Sequence, residues 1–204
     1  MLILQPVETP SFVGRPVTGP VEAPKVRSLS ELEETAVKSK IVGVLREVSG
    51  RLNQQGVRHC VLGAIAVGIH GWPRATRDVD LLLGPEAWRS APDGTLTALV
   101  EMPEQVNGVG IDYLPVSVAG DFLIEAFDRV LITEGVPIAP IEVVILTKLV
   151  RLVMRDQADI VELLKAGLFD AAAVESYLEQ HAPMLTRRFL ELKEQAEREI
   201  ARGS

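Results

Sequence analysis

Asp78 and Asp80 stand two residues apart in the run Arg77-Asp-Val-Asp-Leu-Leu-Leu83. The run reads as a β-strand, and residues two apart on a strand project from one face. Two carboxylates side by side at the end of a buried strand repel each other and desolvate badly. A cation between them, or a way out to water, makes the pair tolerable. A third carboxylate, Asp112, lies in another strand-like run, Gly108-Val-Gly-Ile-Asp-Tyr-Leu114. If the two strands are neighbours, three hard oxygen ligands meet in a partly open cluster. Such a cluster suits Mg²⁺, which keeps waters and borrows substrate phosphates. Two such ions can bind the attacking oxygen and the leaving pyrophosphate of an in-line displacement. Structural zinc does not fit a chain with one cysteine and three scattered histidines. Upstream, Gly63-Ala64 leads into a short helical segment, Ile65 to His70. With almost no side chain there, backbone N–H groups at the helix start can approach a phosphate.

The residues around the acids carry two readings each. Arg74 and Arg77 flank them and either steer a triphosphate or neutralise the aspartates. Thr76 is a phosphate contact or a turn residue. Lys148 reaches phosphate or snorkels from a largely apolar helix. Arg155, Asp156 and Asp159 read as a structural salt-bridge group, and His70 as turn packing. Trp72 and Trp88 read as hydrophobic anchors before they read as platforms for a base.

The elements that must position these residues follow from pattern. Residues 1–27 carry five prolines and read as an irregular tail. Ser30 with Glu33 makes one capping box and Ser28 with Glu31 a competing one. From there a helix is predicted to about Gln55, with Val37, Ile41, Val44, Leu45, Val48 and Leu52 on one face and Gly56 ending it. Strands are predicted over 57–62, 78–83 and 108–114. A hairpin is predicted from Phe127–Thr133 and Val136–Ala139, turned at Glu134-Gly135. Residues 84–108 give no clear pattern. After Pro140 the periodicity becomes helical: 141–154, about 156–166, a third helix capped by Asp170, and a final amphipathic one over 184–201. The expected class is α+β: a core over 28–140 built on a small mixed sheet with flanking helices, then a helical part over 141–204.

The string Gly63-Ala-x-Ala66-Val, Gly71-x-x-Arg74-x-Thr76-x-Asp78-Val-Asp80 resembles a known signature: apolar-Gly-small, a spacer of thirteen residues, then Asp-apolar-Asp. It is the signature of the DNA polymerase beta-like nucleotidyltransferase superfamily. The fuller string is similar to that superfamily's abortive-infection and toxin–antitoxin branch. Glu142, Ile145, Lys148, Arg155, Asp156 and Asp159 look like the helices that close the site in that branch. The resemblance implies a nucleotidyltransferase fold and a Mg²⁺-dependent enzyme that moves a nucleoside monophosphate from an NTP to a hydroxyl on RNA or protein. It implies that Asp78 and Asp80 hold the metals, and that Asp112 completes the site and helps deprotonate the acceptor. Gly63, Ala64, Arg74, Thr76, Arg77 and Lys148 would contact the nucleotide. It also implies a toxin with a cognate antitoxin as partner. The alternative is a catalytically inactive member that binds nucleotide or another protein. Ala64, where many members carry Ser or a second Gly, is the residue that raises that alternative.

Composition sets bounds on these readings. The 204 residues are 47% apolar and 24% charged, enough for a good core, and at 4% aromatic that core is aliphatic. A net charge of −7 argues against bulk electrostatic binding of nucleic acid and leaves room for a local basic cleft. Cys60, the single cysteine, lies in an apolar run and reads as packing. The opening Met-Leu-Ile-Leu-Gln lacks a secretory pattern, and no apolar run approaches a membrane span. The expectation is a cytoplasmic protein without membrane partners.

Overall fold

The computed structural model of the chain describes residues 26–151 and 153–203. The expected Pro-rich tail, residues 1–27, lies outside the described residues except for Val26 and Arg27. The predicted first helix is in fact two, α1 (Leu29–Thr35) and α2 (Ser39–Gln54). Leu29 and Leu32 of α1 are buried, as are Ile41, Val44, Leu45, Val48 and Leu52 of α2. In one continuous helix Ile41 would sit roughly half a turn out of phase with Leu32, at about 100° per residue. Breaking the helix at Ala36–Lys38 lets both apolar stripes face the core. Of the two capping boxes, Ser28 with Glu31 forms.

The chain then runs through β1 (His59–Val61), α3 (Gly63–Ile69) and β2 (Asp78–Leu83). The stretch without a clear pattern holds a small hairpin, β3 (Trp88–Ser90) with β4 (Leu96–Ala98), and then β5 (Gln105–Val106). Next come β6 (Val109–Pro115), α4 (Val116–Ala119), β7 (Leu131–Thr133) and β8 (Val136–Ile138). The β7–β8 hairpin turns at Glu134-Gly135 as predicted, both with positive φ. Its first strand is shorter than predicted, because Asp121–Asp128 winds into 3₁₀ turns. Four helices follow: α5 (Ile141–Arg151), α6 (Met154–Ala166), α7 (Ala171–His181), capped by Asp170 as predicted, and α8 (Pro183–Gly203).

Six strands form one mixed sheet in the order β5-β6-β2-β1-β8-β7. β2 runs parallel to β6 and antiparallel to β1, and β1 runs parallel to β8. The architecture is α+β, a mixed sheet flanked by helices and followed by C-terminal helices. Leu81, Leu82 and Leu83 are all buried, so both faces of β2 are covered beyond Asp80, while Asp78 and Asp80 are only half-buried. The sheet therefore opens at the acidic end of β2. Among the described residues, no helix is long and apolar enough to cross a membrane.

Candidate active site

Register brings the acids together. Asp80 and Asp112 are direct partners across the parallel β2–β6 pair, which sets their strands about 4.8 Å apart. Asp78, two residues back, shares the face of Asp80. The start of α3 is tied to the same point, because the Leu62 N–H donates to the Asp80 carbonyl at 2.9 Å. Gly63 has φ +60°, and a Cβ there would lie 1.8 Å from Oδ2 of Asp80. Only glycine fits that place. The room it leaves is taken by the Asp80 carboxylate.

The electrostatics are those of acids short of counter-charge. Burial, with Asp78 and Asp112 nearby, pushes the Asp80 carboxyl up to about 6. Thr76, expected as a phosphate contact or a turn residue, donates its hydroxyl to Oδ1 of Asp78 at 2.5 Å. Asp112 is exposed. Among the described residues, no three His, Cys, Asp or Glu side chains are arranged to hold a metal ion. The donors are nonetheless all hard carboxylate oxygens, and the Asp80 shift marks a charge that a cation would relieve. That donor chemistry fits Mg²⁺.

Two abutting clefts of about 210 Å³ each meet over these acids and share Gly63, Asp80, Asp112, Lys148, Arg151 and Asp156. Ala64, Arg74, Thr76 and Asp78 line one of them. Lys148 does not snorkel. It is buried, and its Nζ donates to Oδ1 of Asp156 at 2.9 Å and Oδ2 of Asp159 at 2.6 Å. Arg74 forms a fork with Asp159 at 2.7 and 2.8 Å. Burial alone would raise the Asp159 carboxyl, but the hydrogen bonds from Arg74 and Lys148 outweigh it and hold the group below the usual range. Arg74 thus neutralises Asp159. Arg77 is exposed and lies in a neighbouring groove with Thr76 and Asp78, outside the clefts that hold Asp80.

Sequence reasoning passed over Arg151. Its guanidinium lies 3.6 Å from Oδ2 of Asp156, an oxygen with no hydrogen bond, and it lines both clefts. It stands three residues after Lys148 on α5, a spacing that shares a helix face. His59 and His70 are buried and hydrogen-bonded within the fold. His70 donates from Nε2 to the Ala139 carbonyl at 2.8 Å, and His59 donates from Nδ1 to Val57 and accepts from Ser49 at 2.7 Å. Neither Trp72 nor Trp88 lines the acidic clefts.

No protein-family model matches the chain, and no curated protein matches its sequence. Among solved structures it is similar to an antigenic nucleotidyltransferase-like protein from Paracoccidioides brasiliensis, at 16% identity. The likeness covers 68% of this chain and 78% of that one, with a TM-score of 0.38. So loose a likeness carries no argument, and the architecture rests on the strand order and register themselves.

Proposed function

We propose that the protein is a Mg²⁺-dependent nucleotidyltransferase that moves a nucleoside monophosphate from an NTP to a hydroxyl acceptor. The observation that carries this reading is the pairing of Asp80 with Asp112 across β2 and β6, with Asp78 on the same face beside Gly63. Asp78, Asp80 and Asp112 would hold Mg²⁺, which when bound neutralises charge building on the triphosphate and acidifies the acceptor hydroxyl. The acceptor oxygen forms a bond to the α-phosphorus, the bond from that phosphorus to the bridging oxygen breaks, and pyrophosphate leaves. Asp112, the exposed member of the trio, takes the hydroxyl proton. Lys148 and Arg151 face the clefts with positive charge, and Arg151, paired only at 3.6 Å, is free to turn onto a phosphate. Most of the rate gain would come from positioning and charge stabilisation. The resemblance extends the proposal to RNA or protein as acceptor, and to a toxin held in check by a cognate antitoxin.

A second reading is a binding module without turnover. It draws support from carboxylates that are not pre-assembled as a ligand set. One experiment separates the two. Labelled NTP and Mg²⁺ are incubated with the protein and with cellular RNA and protein fractions, beside calorimetric titration of Mg²⁺ and NTP. Label transfer that disappears in folded Asp78→Ala and Asp80→Ala supports the enzyme. NTP binding without transfer supports the module, and neither binding nor transfer sinks both.

A further inference from the structure

A larger groove, about 910 Å³, adjoins the acidic clefts and meets them at Thr76, Asp78 and Arg155. Lys38, Lys40, Arg77 and Arg155 line it. All four are exposed, and none of their side chains makes a hydrogen bond or ion pair among the described residues. The cations of the acidic clefts differ: Arg74, Lys148 and Arg151 each face a carboxylate. In a chain of net charge −7, four unpaired cations along one groove form a local inversion of sign.

Helix α2 strengthens the point independently. Its N-cap is Lys38, which makes no side-chain cap, and its first turn holds no acid. Cations at the N-terminus of a helix oppose its dipole and cost stability. Nearby α1 shows the favourable arrangement, with Ser28 as cap and Glu31 in the first turn. The cations of α2 and its uncapped N–H groups together present donors only, which suits an anion.

We propose that this groove binds the phosphodiester backbone of a single-stranded nucleic acid and delivers its terminal hydroxyl to Asp78. The placement of that hydroxyl rests on the transferase reading above; the binding of the strand does not. The anionic oxygens of a phosphodiester chain match the four cations of the groove, against which Asp78, where the groove meets the acidic clefts, is the one acid among the lining residues. A peptide backbone carries no net charge to meet those cations. Four cations contact a few phosphates, so the footprint is that of a strand end.

The test uses a short fluorescein-labelled single-stranded RNA, the full-length protein, and fluorescence anisotropy without NTP or Mg²⁺. Binding is expected to weaken with salt, with a slope of about −0.7 in log K against log salt for each phosphate contacted. Lys38→Gln, Lys40→Gln, Arg77→Gln and Arg155→Gln should each flatten that slope, and the fourfold variant should bind roughly tenfold or more weakly at low salt. Arg89→Gln, at an exposed cation elsewhere, should change nothing. Lys38→Gln and Lys40→Gln should melt no lower than the native chain, because a dipole clash is removed. Absence of RNA binding at low salt, or an unchanged slope in the fourfold variant, overturns the proposal. So does displacement of the RNA by excess ATP, which would assign the groove to a triphosphate, or label transfer to protein with no RNA binding. RNA binding that persists in Asp80→Asn while even the native chain transfers no nucleotide would keep the groove and remove the transferase reading.

Discussion

The Asp80 carboxyl sits over the bare backbone of Gly63, flanked by Asp78 and Asp112, and its pKa rises from 3.8 to about 6. The folded state therefore holds that proton more tightly than the unfolded chain. Below pH about 4 both states are protonated and the site exacts no penalty. Between about 4 and 6 the unfolded state releases the proton first, so stability falls as pH rises, and the loss is complete above about 6. The shift corresponds to on the order of 3 kcal/mol. Asp80→Asn removes the penalty, so the variant should melt higher than the native chain at pH 7, by roughly 6–12 °C. That advantage should shrink to nothing as pH is lowered through 6 towards 4. Added Mg²⁺ should raise the melting temperature of the native chain and leave Asp80→Asn unmoved. Equal metal shifts in the two proteins would count against the site. At this scale the pair was legible because a strand has a period of two residues. Asp112 was legible only if its strand lay next to β2, and the register supplies that. Arg151 was not, since nothing in the pattern says how α5 is rotated over the clefts.

Among the elements, α5 and α6 are locked to the loop ahead of β2 by one buried charge network: Lys148 with Asp156 and Asp159, and Asp159 with Arg74. Removing the central cation leaves buried Asp159 with Arg74 alone and buried Asp156 with only the Arg151 guanidinium at 3.6 Å. Lys148→Met should cost about 3–5 kcal/mol, read as a drop in the urea midpoint. Adding Asp156→Asn to it takes away the more weakly paired charge and should recover part of the loss, a non-additive pair. Depressed Asp159 contributes stability above the ordinary carboxylate range that is lost as pH falls through its folded value, so this lock weakens in acid while the Asp80 penalty vanishes. An unchanged urea midpoint for Lys148→Met at pH 7 would contradict the assignment. Of the expected salt-bridge group, Asp156 and Asp159 belong to the network and Arg155 does not; Lys148 takes its place, and the other cation, Arg74, lies 85 residues from Asp159, beyond any periodicity. Local pattern failed likewise at β3 and β4. Those strands are three residues long and largely exposed, so no apolar alternation marks them. The break between α1 and α2 is written in the phase of Leu32 against Ile41, whereas the two competing capping boxes mark only where the first helix starts.

Across the whole molecule, one apolar cluster runs from Leu29 through the sheet to Phe189, Leu192 and Ala196 of α8. Helix α8 packs on α5, α6 and α7, and α5 in turn packs on α3, the helix that opens at Gly63. Among the described residues, this one cluster joins the C-terminal helices to the sheet that carries the acids. A chain with one continuous core should unfold as one unit, even though the change in pattern at Pro140 suggested two parts. Phe189 is fully buried, and Phe189→Ala should cost about 3–5 kcal/mol through the cavity it leaves. For a chain of this length the melting temperature should fall by roughly 6–15 °C. Calorimetry should show a single transition, with calorimetric and van't Hoff enthalpies equal, that moves down as a whole in the variant. The Mg²⁺-induced shift should persist on the lowered transition, because Phe189 lines neither acidic cleft. Two transitions, of which only one responds to Phe189→Ala, would show instead that the helices after Pro140 fold apart from the sheet. In that case α5 could hold Lys148 and Arg151 over the acids only when docked, and metal binding would report docking rather than a preformed cleft.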